Sequence, residues 1–303
     1  MKLSIFKRRP GARSLRSRAT WATALFVLFG LGMLVGLVGG ASAAATSVVL
    51  GTADSFAVLA GAGITNTGPT TVTGDLGTFP TTSMTGTASL TVTGANHAGD
   101  AVTQGAKTDL ITAYNTAAGE GPTSPIAADL GGQTLAPGVY NSASSVGLTG
   151  TLTLDAGGDP NAVFVFQAGS SLTTASGSQV SMINGAQSCN VFWQVGSSAT
   201  LGTGSTFRGT VIALTSITVT TGVTVDGRVL ARNGAVTLDT DTIARSTCAA
   251  TPPTTTTTGT TTKSTAAKKA ATKKAAAKKA AAKKAAASRS HARPARKRAA
   301  FTG

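Results

Sequence analysis

Four short segments in the second half of this chain repeat in register. Leu172-Thr173-Thr174-Ala175-Ser176-Gly177 lines up with Ala199-Thr200-Leu201-Gly202-Thr203-Gly204, with Ile217-Thr218-Val219-Thr220-Thr221-Gly222, and with Val236-Thr237-Leu238-Asp239-Thr240-Asp241. The last three copies begin 18 and 19 residues apart, and each follows an apolar run such as Val191 to Val195. A period of about 20 residues, with β-branched strands and glycine at the corners, specifies a solenoid in which each turn buries one face against its neighbours. Stacking places Thr173, Thr200, Thr218 and Thr237 in one outward rank at about 4.8 Å per strand. Such a rank is a regular, flat surface, and suits a regular, flat ligand. A second rank, containing Thr203 and Thr221, lies three positions on. Strand alternation turns it inward unless a corner intervenes. In the rank between them, which holds Thr220, Asp239 breaks the pattern.

The net charge of +15 hides three different pieces. Residues 1–45 carry seven Lys/Arg and no acid; residues 46–250 carry five Lys/Arg against all eleven acids; residues 251–303 carry fourteen Lys/Arg and no acid. The body is mildly acidic, so any attraction to polyanions belongs to the tail. Threonine, serine, glycine and alanine dominate the body and aromatics are few, which favours strands and tight corners. Its length suffices for one domain, residues 46–250, with a real core.

Residues 1–45 read as an export signal. Lys7, Arg8, Arg9, Arg13, Arg16 and Arg18 precede an apolar run from Trp21 to Val38, and Ala41-Ser42-Ala43-Ala44-Ala45 offers small-residue cleavage sites. The protein is therefore expected to be secreted; the alternative is an uncleaved segment acting as a membrane anchor. Beyond the body, residues 251–265 form a Thr/Pro linker. Residues 266–303 form a Lys/Ala-rich, disordered tail whose lysine pairs recur every five residues. Five residues advance a helix by about 140°, so these pairs spiral round and line no single face. Cell-wall polymers, acidic polysaccharide or extracellular DNA are the partners such a tail would take up. Cell-wall association is then a second localisation.

An exported chain with two cysteines, Cys189 and Cys248, has the means for one disulfide. The repeat register separates them by about three coils, roughly 14 Å at strand spacing, beyond bridging distance. They meet only if the residues after Ile243 run back along the stack. Both outcomes stay open.

Between about Gly99 and Ala118 the pattern changes. Val102, Ala106, Leu110, Ala113, Tyr114 and Ala117 recur at helical spacing, Asp100 stands near the start and Gly119 follows the end. One helix in an otherwise β chain is expected to pack along a side of the solenoid.

Longer strings carry a resemblance. Gly63-Ile64-Thr65-Asn66-Thr67-Gly68-Pro69, Val72-Thr73-Gly74-Asp75-Leu76-Gly77, Asn190-Val191-Phe192-Trp193-Gln194-Val195-Gly196-Ser197-Ser198-Ala199 and Gly227-Arg228-Val229-Leu230-Ala231-Arg232-Asn233-Gly234-Ala235-Val236-Thr237-Leu238 resemble the bacterial and fungal ice-binding protein family of the DUF3494 type. The resemblance covers about Leu50 to Ile243 and not the tail. It implies a discontinuous, right-handed β-solenoid of triangular section, mostly β, with one long helix along a side, which binds ice crystals through a flat β face. The protein is expected to be a monomer.

The chemistry of such a ligand agrees with the rank. Ice presents a lattice of oxygens, with neither charge nor pocket, so a binder needs many weak contacts held rigidly at once. Threonine has a stiff χ1, a hydroxyl that holds a water and a methyl that excludes one. Waters already ordered on such a face merge with a crystal at little further entropic cost. The candidate ice-binding residues are Thr173, Thr200, Thr218, Thr237, Thr203, Thr220 and Thr221. An enzyme reading finds no constellation to rest on. His97 is the one histidine outside the tail, Asp155/Asp159 and Asp239/Asp241 read as turn residues, and neither a Cys/His metal cluster nor a phosphate loop is present, so no cofactor is expected. The rival from another class is a cell-surface or adhesive spacer, attached to anionic wall polymers through the tail.

Overall fold

The computed structural model describes residues 45–249. The expected export segment (all but its last residue), the Thr/Pro stretch and the basic tail lie outside the described residues.

Parallel strands stack into a three-sided solenoid. A seven-stranded sheet forms one side, and a fifteen-stranded sheet folds round a corner to form the other two. The corner is made by Thr206–Ala213 and Thr224–Ala231, eight residues each, paired along their whole length from Thr206↔Thr224 to Ala213↔Ala231. They bend at Gly209 and Gly227, both at positive φ (106° and 159°). A side chain on Gly227 would run into the Gly209 carbonyl of the coil beneath, so the bend admits glycine alone.

One face of the larger sheet is buried on both sides. Phe56–Ala60, Phe164–Ala168 and Val191–Val195 show no exposed residue, which is why they read as continuous apolar runs and not as alternation. Alternate residues face the solenoid interior, where Tyr140, Phe166 and Trp193 stack at 5.4 and 4.0 Å between ring centroids and Phe207 meets Trp193 tilted at 5.1 Å. Each such pair adds about 0.5–1.5 kcal/mol beyond area burial. The others, Val165, Phe192, Ile212 and Leu230 among them, meet Ala106, Leu110, Ala113 and Ala117 of a helix spanning Ala101–Gly119. That helix starts two residues later than the periodicity suggests. Gly99 sits at φ 72°, and the Asp100 side chain caps the first turn by accepting from the Thr103 N–H. At the far end Gln167 donates to the carbonyls of Ala117 and Glu120, taking up acceptors the helix leaves free.

The helix also makes the solenoid discontinuous. Coils formed by residues before it stack on the last coil of the C-terminal part: Ile64–Thr67 pairs with Val236–Asp239, and Thr70–Thr73 with Thr242–Ala244. The nineteen-residue helix then carries the chain about 28 Å back along the stack. From there the coils are laid down in sequence order, beginning with Thr123–Pro125 and Gly138–Ser142.

Cys189 and Cys248 form a disulfide, with Cα atoms 5.4 Å apart. The run back along the stack is the route taken. After Thr242–Ala244, Arg245 bonds Asp54, Ser246 accepts from Arg228, and the Ala249 N–H donates to the Gln187 side chain.

Candidate functional site

The seven-stranded side is built from strands of two to four residues. The three-residue strands Leu172–Thr174, Ala199–Leu201 and Ile217–Val219 each bury their two ends and turn only the central residue outward. Pairing puts those central residues in one rank: Thr173↔Thr200, Thr200↔Thr218 and Thr218↔Thr237. The rank continues through Thr237↔Thr65 and Thr65↔Thr85, and Gly147 closes its other end opposite Thr173. Six consecutive threonines thus stand in register over about 24 Å at strand spacing. The repeat alignment finds four of them. Thr65 and Thr85 escape it because they belong to coils translated before the helix. A signal was available in Ile64-Thr65, which matches Val236-Thr237.

Each of the six Oγ1 atoms is left without a protein hydrogen-bond partner among the described residues, and none is sealed from solvent. Their hydroxyls are therefore open to solvent. No charged side chain stands within the rank.

Thr203, Thr220 and Thr221 sit elsewhere, on the corner where the chain turns from this side to the next. Their hydroxyls are spent within the protein. Thr220 donates to the Leu201 carbonyl at 2.7 Å, Thr203 and Thr220 share a bond at 3.3 Å, and Thr221 donates to Asp239. These bonds tie successive coils together and leave the three residues less free to organise water than the central rank.

The last coil departs from the alignment, since its corner is one residue shorter. Thr218 pairs with Thr237, yet Thr224 pairs with Thr242. The register therefore slips: Asp239 falls beside Thr221, and Thr240 takes the left-handed turn position, φ 59°, that Gly222 and Gly204 hold in neighbouring coils. Thr240 consequently is no partner of Thr221, contrary to the simple alignment. Hydrogen bonds from Thr221 and then Thr240 hold the Asp239 carboxyl below the usual range. Asp241 turns inward and is buried, accepting from the N–H groups of Val223 and Asp239. Burial pushes it up to about 7 against those two bonds.

The third side carries threonines too. Thr206, Thr224, Thr242, Thr71 and Thr91 stand in register. Gln179 interrupts them opposite Thr206, and two residues along from Thr206 and Thr224 lies the Arg208–Asp226 ion pair at 3.6 Å. The third side thus carries an ion pair two residues from its threonines, whereas on the seven-stranded side the one charged strand residue, Asp239, lies at the corner and outside the rank.

The arrangement defines a class: a β-solenoid that presents a repetitive, uncharged rank to solvent. The family described as Ice-binding-like matches residues 58–244, and the chain belongs to that family. An ice-binding protein of Nostoc sp. (strain HG1) is 52% identical over 205 residues, covering 67% of this chain and 76% of that protein. One from Colwellia sp. is 38% identical over 216 residues, covering 65% and 83%. Among solved structures, an ice binding protein from an Antarctic biological consortium superposes with a TM-score of 0.66 at 48% identity, covering 67% of this chain and 92% of the other. The ice-binding protein of the Antarctic ascomycete Antarctomyces psychrotrophicus gives 0.65 at 43% identity, covering 67% and 100%.

Proposed function

We propose that this protein adsorbs to ice through the seven-stranded side, with Thr173, Thr200, Thr218 and Thr237, joined by Thr65 and Thr85, as the contact rank, and that it thereby inhibits recrystallisation. The observation that carries this reading is the unbroken register of six threonines whose hydroxyls have no partner inside the protein. Waters held between such hydroxyls and their methyl groups are already ordered before contact, so adsorption has little entropy left to lose. Thr203, Thr220 and Thr221 border the contact rank and stiffen the corner. The function needs no cofactor and no reacting group, and the family is one of ice binding, not of catalysis. The rival reading, an adhesive spacer, finds no support in the relatives named above.

Two further parts belong to the proposal. Residues 1–45 direct export and are removed, so the protein works outside the cell as a monomer. The tail, with its fourteen cations and no acid, takes up anionic polymers through counterion release. Ice crystals grown in the purified protein test the central reading: faceted crystals and slowed recrystallisation are expected, and smooth discs with unchanged coarsening would refute it.

A further inference from the structure

On the ridge between the helix and the threonine side lies a cavity of about 350 Å³, at the small end of ligand pockets. Lys107 from the helix and Arg232 and Asn233 from the corner line it, and no acid does. Such a pairing of cations is unusual in a body where acids outnumber bases by eleven to five.

Neither cation is neutralised. Lys107 is 7% exposed and spends two of its three donors on the carbonyls of Ala231, at 2.6 Å, and Arg232. Arg232 lies over the ring of Tyr114, 5.4 Å from its centroid. Among the described residues no acid or hydrogen-bond acceptor meets its guanidinium, and its Nε is buried without a partner. An orphaned guanidinium beside a buried ammonium marks a place where charge is missing. Burial, followed by the nearby Arg232, lowers Lys107 to about 8, as expected of two cations with no anion between them.

From this geometry we infer that the cavity is a binding site for a monocarboxylate carried on a body the size of one sugar ring, with Arg232 as the fork that holds the carboxylate and Lys107 as the second charge. The guanidinium fork matches a carboxylate. The fork suits a phosphate as well, but inorganic phosphate has no body to lie against the rest of the cavity and is held more weakly. Phe79, Pro80 and the partly exposed Ile111 supply an apolar wall for the body of the ligand. Because Asn233 sits in the corner before Val236–Asp239, the site flanks the threonine rank without covering it. A bound carboxylate therefore leaves the ice-adsorbing surface free, and the inference stands or falls apart from that function.

Titration of the full protein with sodium glucuronate, followed by amide chemical shifts, tests the site. Saturable shifts at Gly61, Thr108 and Asn233 are expected, with glucose producing none and inorganic phosphate binding more weakly. Arg232→Gln should weaken glucuronate binding about tenfold or more, the loss of a charge-assisted pair. Arg232→Lys, which keeps the charge and loses the fork, should fall between, and Arg208→Gln on the third side should bind as the natural protein does. Shifts that are absent, that glucose reproduces, that phosphate exceeds, or that survive unchanged in folded Arg232→Gln would overturn the assignment. Should Arg232→Gln fail to fold, binding by Arg232→Lys equal to that of the natural protein would overturn it as well.

Discussion

A threonine at the centre of a three-residue strand, with both neighbours turned into the core, has nowhere to hide its hydroxyl. That local fact decides which threonines face water, and it is legible in the sequence wherever an apolar residue stands on either side, as at Ile217-Thr218-Val219. The fate of Thr203, Thr220 and Thr221 is less legible, because it depends on where the corner falls. Asp241 shows the limit most clearly. It reads as a turn residue, and only the one-residue deletion in its corner turns it inward. This has a consequence for pH. A carboxyl raised by burial from its ordinary 3.8 to about 7 contributes its full stability below the lower value and loses it as pH climbs through the upper one. Stability is therefore expected to decline between about pH 4 and about pH 7 on account of this residue. Asp241→Asn, which cannot ionise, should shrink the difference between denaturation midpoints measured at about pH 5 and about pH 8. An unchanged difference would show that Asp241 is ionised throughout.

Among the elements, the helix does two jobs: it covers the apolar outer surface of one side, and it returns the chain to the far end of the stack. Its existence and face were readable from the spacing of Ala106, Leu110, Ala113 and Ala117, all of them fully buried. The stacking of the first coils on the last was harder to read, since its one trace, the match of Ile64-Thr65 to Val236-Thr237, lies outside the regular period. Leu110→Ala, at the centre of the docked face, should cost about 2–5 kcal/mol in chemical denaturation, as large-to-small core changes do. The disulfide closes a loop with a sequence separation of 59 and pins the returning strand end to the outside of the coils. Replacing Cys189 and Cys248 by serine should lower stability by about 2–5 kcal/mol. Ice activity measured near freezing should survive, because the bond touches no threonine of the rank. Loss of that activity in a variant still folded would mean that the returning segment shapes the face.

On the scale of the whole molecule, charge and surface are kept apart. The body carries an excess of acid and an uncharged rank; the cations of the chain are concentrated before residue 46 and after residue 250. Removal of residues 251–303 should abolish salt-sensitive binding to heparin or DNA and leave ice activity unchanged. Retention of that binding at low salt by the shortened protein would place the polyanion site on the body. For the rank itself, bulk is the sharpest probe of a flat contact. In the double variant Thr200→Tyr, Thr218→Tyr, two rings stand proud in the middle of the rank and hold the other threonines off a flat lattice. Stability should change by about 0.5 kcal/mol or less per site, as at other surface positions. Thr116→Tyr on the helix, and Thr206→Tyr with Thr224→Tyr on the third side, serve as controls of equal bulk. Near-complete loss of recrystallisation inhibition with an unchanged melting curve is expected in the Thr200/Thr218 variant, and full inhibition in both controls. Full inhibition by the folded Thr200/Thr218 variant, with loss in the Thr206/Thr224 variant instead, would contradict this and move the ice contact to the third side.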